Sequence, residues 1–109
     1  HIHSTESNKK LINDELLFNA KPGLCLVNTS RGDIVCEDTI AKLVCNHHLG
    51  GYATDVLASE FTKLEDSPIL KLFHEKKYNV VITPHVGGMT YEGQDKAFLF
   101  ALNKFKFTD

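Results

Sequence analysis

Apolar and polar positions alternate along the chain on two length scales. Val80, Val81, Ile82 and Thr83 form a continuous β-branched run, the pattern of a strand buried on both faces. Pro84 has no N–H to give to a ladder, so the strand ends there. Leu24 to Asn28 (LCLVN) reads as a second short buried strand, and Tyr52 to Leu57 as a third, set off by a break at Gly50-Gly51. Between these runs the period changes to that of helices. Asn13 is an N-cap for a helix through Ala20, with Asp14 and Glu15 in its first turn and Lys21-Pro22-Gly23 ending it. From Glu37 to Asn46, Ile40, Leu43 and Val44 fall at i, i+3, i+4 and make an apolar stripe. Arg31-Gly32-Asp33 supplies a turn, Ala58 to Ser67 a loop, and Pro68 opens a short helical turn. The last helix runs from Tyr91 to Phe105 behind a Thr90 cap, with Ala97, Phe98, Ala101, Leu102 and Phe105 on one side; Lys104 to Asp109 is expected to fray.

Strands alternating with helices imply β-α-β units, a parallel sheet and right-handed crossovers. All three strands then end on one edge of the sheet, where ligands bind in open α/β folds. The residues delivered to that edge are Asn28 to Arg31, Asp55 to Glu60, and His85 to Gly88.

Bulk properties exclude several classes. The chain has 109 residues and a net charge of -2, which leaves no electrostatic footprint for nucleic acid or an anionic membrane surface. No run approaches the length of a membrane span and no secretory signal opens the chain, so a soluble cytoplasmic protein is the default expectation. Cys25, Cys36 and Cys45 are odd in number and lack a CxxC pair, which argues against a disulfide framework and against structural zinc. Cys45, His47 and His48 have no second cluster to complete a tetrahedron, so no metal is expected.

The chemistry-bearing types at the sheet edge complement one another. Arg31 is either a solvated surface residue or a planar fork for a carboxylate. His85 supplies an imidazole, the side chain type that can give or take a proton. Glu60 is either a loop charge or, within reach of the ring, a partner that fixes its tautomer. Asp55 is a cap or an acceptor for a ligand amide. Gly87 and Gly88 let backbone approach a ligand closely.

Taken together, NTSRGDIV at 28 to 35, GGYATDVLASE at 50 to 60 and VVITPHVGG at 80 to 88 resemble the D-isomer-specific 2-hydroxyacid dehydrogenases. HIHSTESNKKLINDELL at 1 to 17 resembles the segment before that family's arginine motif. The resemblance implies a partial Rossmann-like, doubly wound parallel sheet: the C-terminal part of an NAD-binding domain over residues 1–109, with the Gly-rich half and the substrate domain absent. It implies catalysis by Arg31, Glu60 and His85. Arg31 would hold the substrate carboxylate, and His85 would act as acid/base paired with Glu60. The nicotinamide end of the cofactor would lie against Ile2, Thr29, Ser30, Arg31, Asp55, His85, Val86, Gly87 and Gly88, with Asp55 accepting from its carboxamide. NAD is the implied cofactor, with NADP left open, and the implied partners are a small 2-oxo or 2-hydroxy acid and, in the parent protein, a second subunit.

Departures from the pattern carry information too. No GxGxxG appears, nor the acidic residue about twenty positions beyond it that holds the adenosine ribose. The expectation is a piece of a longer enzyme that binds NAD poorly and turns over little by itself. His3 and Phe61 stand where proline is common in the family, and Met89 where a small residue is usual. Formate dehydrogenases of the wider family pair the histidine with glutamine, so Glu60 points to acid/base chemistry. The alternative from another class is an NAD(H)-sensing module of corepressor type that acts through partners.

Overall fold

The computed structural model describes residues 1–104. Three parallel strands, β1 (Leu24–Asn28), β2 (Leu49–Thr54) and β3 (Val80–Ile82), lie side by side in the order β1-β2-β3. Four α-helices accompany them: α1 (Asp14–Leu17), α2 (Glu37–Cys45), α3 (Pro68–Glu75) and α4 (Tyr91–Lys104). This is the parallel β-α-β arrangement that the alternating pattern implies, and the Rossmann-like α/β fold that the family resemblance implies.

The local signals explain most boundaries. The Asn13 side chain accepts from the Leu16 N–H and starts α1. Ser67 caps α3 through its hydroxyl, with Pro68 in the first turn, and Lys76 in the left-handed region ends it. Thr90 accepts from the Gly93 N–H at the head of α4. α1 is shorter than the predicted span to Ala20, because after Phe18 the bonding tightens to Ala20 N–H on the Leu17 carbonyl before the Lys21 turn. The predicted end of α4 at Phe105, and the stretch beyond it, lie outside the described residues.

Two expectations about the strands are corrected. β2 covers Leu49–Thr54, not Tyr52 to Leu57, so Gly50 and Gly51 belong to the strand and do not break the chain before it. They are glycines because neighbours crowd them: a Cβ on Gly50 would collide with the Gly23 carbonyl, and one on Gly51 with the Asn79 side chain. Val56 and Leu57 are buried as part of the following loop. Nor is β3 buried on both faces, since Val81 is 54% exposed.

The reason is one-sided cover. Leu26, Tyr52 and Val80 are in register and face the core built by α2 and α3, where Ile40 and Ile69 are fully buried. Val27, Ala53 and Val81 are in register on the opposite face, and Val27 is 65% exposed. The apolar side predicted for α4 is likewise uncovered, because no residue of that helix is buried. No helix among the described residues is long and apolar enough to cross a membrane.

Candidate active site at the strand ends

The turn after β1 is built by Asn28. Its buried side chain donates to the Arg31 carbonyl and accepts from the Ser30 N–H, each at 3.0 Å, which folds Thr29, Ser30 and Arg31 into a tight loop. Gly32 follows, and a Cβ there would collide with the backbone of Leu57 and Ala58. The absence of a side chain at 32 therefore lets the first loop press against the second. Arg31 itself donates from Nη1 to the Ser30 carbonyl at 2.7 Å. Among the described residues it has no carboxylate partner, and it lines a small cavity with His1, Ile2, His3, Thr29 and Ser30.

The loop after β2 carries two acids with different tasks. Asp55 Oδ1 accepts from the Thr83 hydroxyl at 2.5 Å and from the Val86 N–H at 3.0 Å, while Oδ2 accepts from the Gly87 N–H at 2.8 Å. The Thr83 hydroxyl, assisted by the Gly87 and Val86 N–H groups and by His85, holds the Asp55 carboxyl below its ordinary value against an opposing effect of burial. Glu60 Oε2 accepts from the Leu57 N–H at 3.1 Å, closing its own turn, and Oε1 meets His85 Nδ1 at 2.7 Å. A carboxylate only accepts, so His85 donates from Nδ1. The Glu60 side chain is 17% exposed and that of His85 42%.

Glu37 is the member that sequence reasoning missed. It sits in the first turn of α2, buried, and accepts from the Ala58 N–H at 2.8 Å and the Ser67 hydroxyl at 2.9 Å. In sequence it looked like an ordinary first-turn acid. The signal available was its helix N-terminal position, where N–H groups favour a carboxylate; nothing local disclosed that it would anchor both ends of the loop bearing Glu60.

The structure thus joins Asp55, Glu60, His85, Val86 and Gly87 through direct contacts, and places Arg31 on the neighbouring loop beside a different cavity. A cleft of about 420 Å³ opens at the histidine, with Asp55, Glu60, Thr83 and His85 as its polar lining and Leu57, Leu64, Leu70, Phe73 and Ile82 among its apolar lining. Phe61 overhangs it, its ring centroid 6.3 Å from that of His85. Gly88 has open space around it, whereas Gly87 is close enough to Asp55 that a Cβ would stand 3.0 Å from Oδ2. Among the described residues no group of three or more His, Cys, Asp or Glu is placed to hold a metal ion.

Comparison with known proteins agrees with this geometry. Residues 1–87 match the family model described as D-isomer specific 2-hydroxyacid dehydrogenase, NAD binding domain. A D-3-phosphoglycerate dehydrogenase of Mycobacterium bovis is 37% identical over 97 residues, which is 89% of this chain and 17% of the relative. The (S)-sulfolactate dehydrogenase of Chromohalobacter salexigens is 34% identical over 88% of this chain and 29% of its own. The chain therefore spans less than a third of the length of these relatives. Among solved structures, a D-lactate dehydrogenase from Sporolactobacillus superposes with a TM-score of 0.75 at 28% identity, covering 94% of this chain and 33% of that one. The NAD-dependent formate dehydrogenase of Staphylococcus aureus, in complex with NAD, superposes at 0.71 and 28% identity over 100% of this chain and 33% of that one. The chain belongs to the D-isomer specific 2-hydroxyacid dehydrogenase family, as part of its NAD-binding domain.

Proposed function

We propose that this segment carries the proton-handling and carboxylate-binding residues of an NAD-dependent dehydrogenase that interconverts 2-oxo acids and D-2-hydroxy acids. The observation that supports it most is the 2.7 Å pair between His85 Nδ1 and Glu60 at the C-terminal rim of a parallel sheet. In the reducing direction, charged His85 gives its Nε2 proton to the oxygen of the 2-oxo group. The ring becomes neutral and keeps the Nδ1 proton, which Glu60 accepts. In the oxidising direction Nε2 takes the hydroxyl proton back. Arg31, which has no carboxylate partner among the described residues, grips the substrate carboxylate through two parallel hydrogen bonds and faces the charge that develops on the adjacent oxygen.

NAD(H), when bound, supplies the hydride carrier. Its nicotinamide end would be held by Ile2, Thr29, Ser30, Arg31, Asp55, His85, Val86, Gly87 and Gly88. The residues fit that role: an ionised carboxylate has about four acceptor sites, and three on Asp55 are used, which leaves one for a carboxamide N–H. NADP is a second candidate for the same site. The sequence has no glycine-rich phosphate turn, and the chain by itself is proposed to be without turnover.

The cleft lining bears on the substrate. Among the described residues it contains two carboxylates and no lysine or arginine, an unfavourable neighbourhood for a second anion. A 2-oxo acid with an apolar side chain suits it better than the phosphorylated or sulfonated substrates that the names of two relatives imply for those proteins.

The test uses the complete enzyme that carries this segment, assayed for NADH oxidation with aliphatic, aromatic and phosphorylated 2-oxo acids. His85→Asn is expected to lower kcat by about 10²- to 10⁴-fold. Undiminished turnover in that variant would falsify the assignment. NADH-dependent association with no turnover on any 2-oxo acid would instead support the sensing module.

A further inference from the structure

His85 has φ of +54°, a left-handed backbone rare for a residue with a Cβ. Such a conformation is costly and persists only where its surroundings over-determine it. Its glycine neighbours, which could adopt it freely, do not.

The surroundings are almost entirely one carboxylate. Asp55 accepts from the Thr83 hydroxyl two residues before the histidine, and from the Val86 and Gly87 N–H groups directly after it. The His85 N–H closes the inner bend on the Thr83 carbonyl at 3.0 Å. Asp55 is itself fixed at the end of β2, where its N–H donates to the Asn28 carbonyl at 3.0 Å. Glycine at 87 serves this grip, since the Oδ2 atom stands where a larger residue would crowd it. Five residues further along the same loop, Glu60 takes the ring.

We propose that Asp55 is the positioning residue for His85: by gripping the backbone on both sides of the histidine it imposes the left-handed bend that brings Nδ1 onto Glu60. One loop thus holds the histidine at two points, backbone by Asp55 and ring by Glu60, and leaves Nε2 to exchange a proton. The inference deepens the reading in which His85 carries the proton, and it gives Asp55 a task that exists before any cofactor arrives.

The test reads the ring. In the 109-residue chain, with the histidine neutral, ¹⁵N shifts of the His85 imidazole are expected to report mostly the Nδ1–H tautomer. Glu60→Ala should reverse this to mostly Nε2–H, the form an unconstrained imidazole prefers. Asp55→Ala, which touches no ring atom, is expected to reverse the ratio as Glu60→Ala does, with the far-ultraviolet circular dichroism unchanged. Asp55→Asn, which keeps an acceptor for Thr83 and Val86 but not for Gly87, should give an intermediate ratio, and Thr83→Val a smaller shift in the same direction. A role confined to stability would leave the ratio at its wild-type value in every folded variant, and that result overturns the proposal. If Asp55→Ala does not fold, the Asn and Thr83→Val variants decide by the same measure. The readout needs no turnover, so an inactive parent enzyme would sink the dehydrogenase assignment while leaving this result standing.

Discussion

The histidine loop and the arginine loop lie at the same sheet edge, one on each side of the loop after β2, yet they are prepared to different degrees. His85 is held through its ring by Glu60 and through its backbone by Asp55, and Glu60 is closed onto its own turn. Arg31 has a firm backbone, shaped by Asn28, but among the described residues its guanidinium meets only the carbonyl of the preceding residue. In the proposed reading, the half that would handle the proton is already joined by contacts within the chain, whereas the half that would bind the anion keeps its guanidinium donors for a substrate. The difference has a physical logic. A general acid must be oriented before the reaction begins, and a cation that recognises a carboxylate loses capacity if a resident carboxylate occupies it first.

That contrast can be broken from either side. After His85→Asn, the largest effect is expected for Arg31→Ala in the complete enzyme: kcat/KM for a 2-oxo acid should fall by about 10²-fold, from the loss of charge-assisted hydrogen bonds worth roughly 1.5–3 kcal/mol. In the 109-residue chain the His85 ring signals should stay as in the wild type; a change in them would show that the two halves are one unit. Next comes Gly32→Ala, which forces the first loop off the backbone of Leu57 and Ala58. Equilibrium denaturation of the chain should register a loss of about 1–3 kcal/mol, and amide signals of both loops should move together.

The gentlest probe is acid. The Asp55 pKa in the folded chain lies below its ordinary value, so its contribution to stability is complete above the unfolded pKa and is lost as pH falls through the folded one. Protection of the Val86 and Gly87 amides from hydrogen exchange, measured against the intrinsic rate at each pH, should therefore fall as pH drops below the usual carboxylate range. The Ser30 amide, bonded to the neutral side chain of Asn28, should not follow. Asp55→Asn is the control: it should flatten the Gly87 response.

Most of the sheet edge could be read from residue order alone. The first and third strands end where apolar runs meet Asn28 and Pro84, the second was read past Thr54 to Leu57, and a parallel sheet carries all three ends to one side. What escaped the pattern depends on contacts between distant residues. Gly50 and Gly51 resembled a breaker because the crowding by Gly23 and Asn79 is tertiary. The open face at Val81 was hidden because a β-branched run looks the same whether one or both of its faces are covered. Asp55 offered two roles in sequence, cap or ligand acceptor, and the three bonds it makes to the histidine loop fill the first without exhausting the second. The buried link from Glu37 to Ala58 and Ser67 spans more than twenty residues and left no trace in local spacing.

The strip formed by Val27, Ala53 and Val81 runs along the very strands whose ends bear the site. Each square ångström of it removed from water contributes about 25 cal/mol, and that free energy acts on β1, β2 and β3 as a group. Burial of this strip would therefore add stability to the same three strands whose ends carry Arg31, Asp55 and His85.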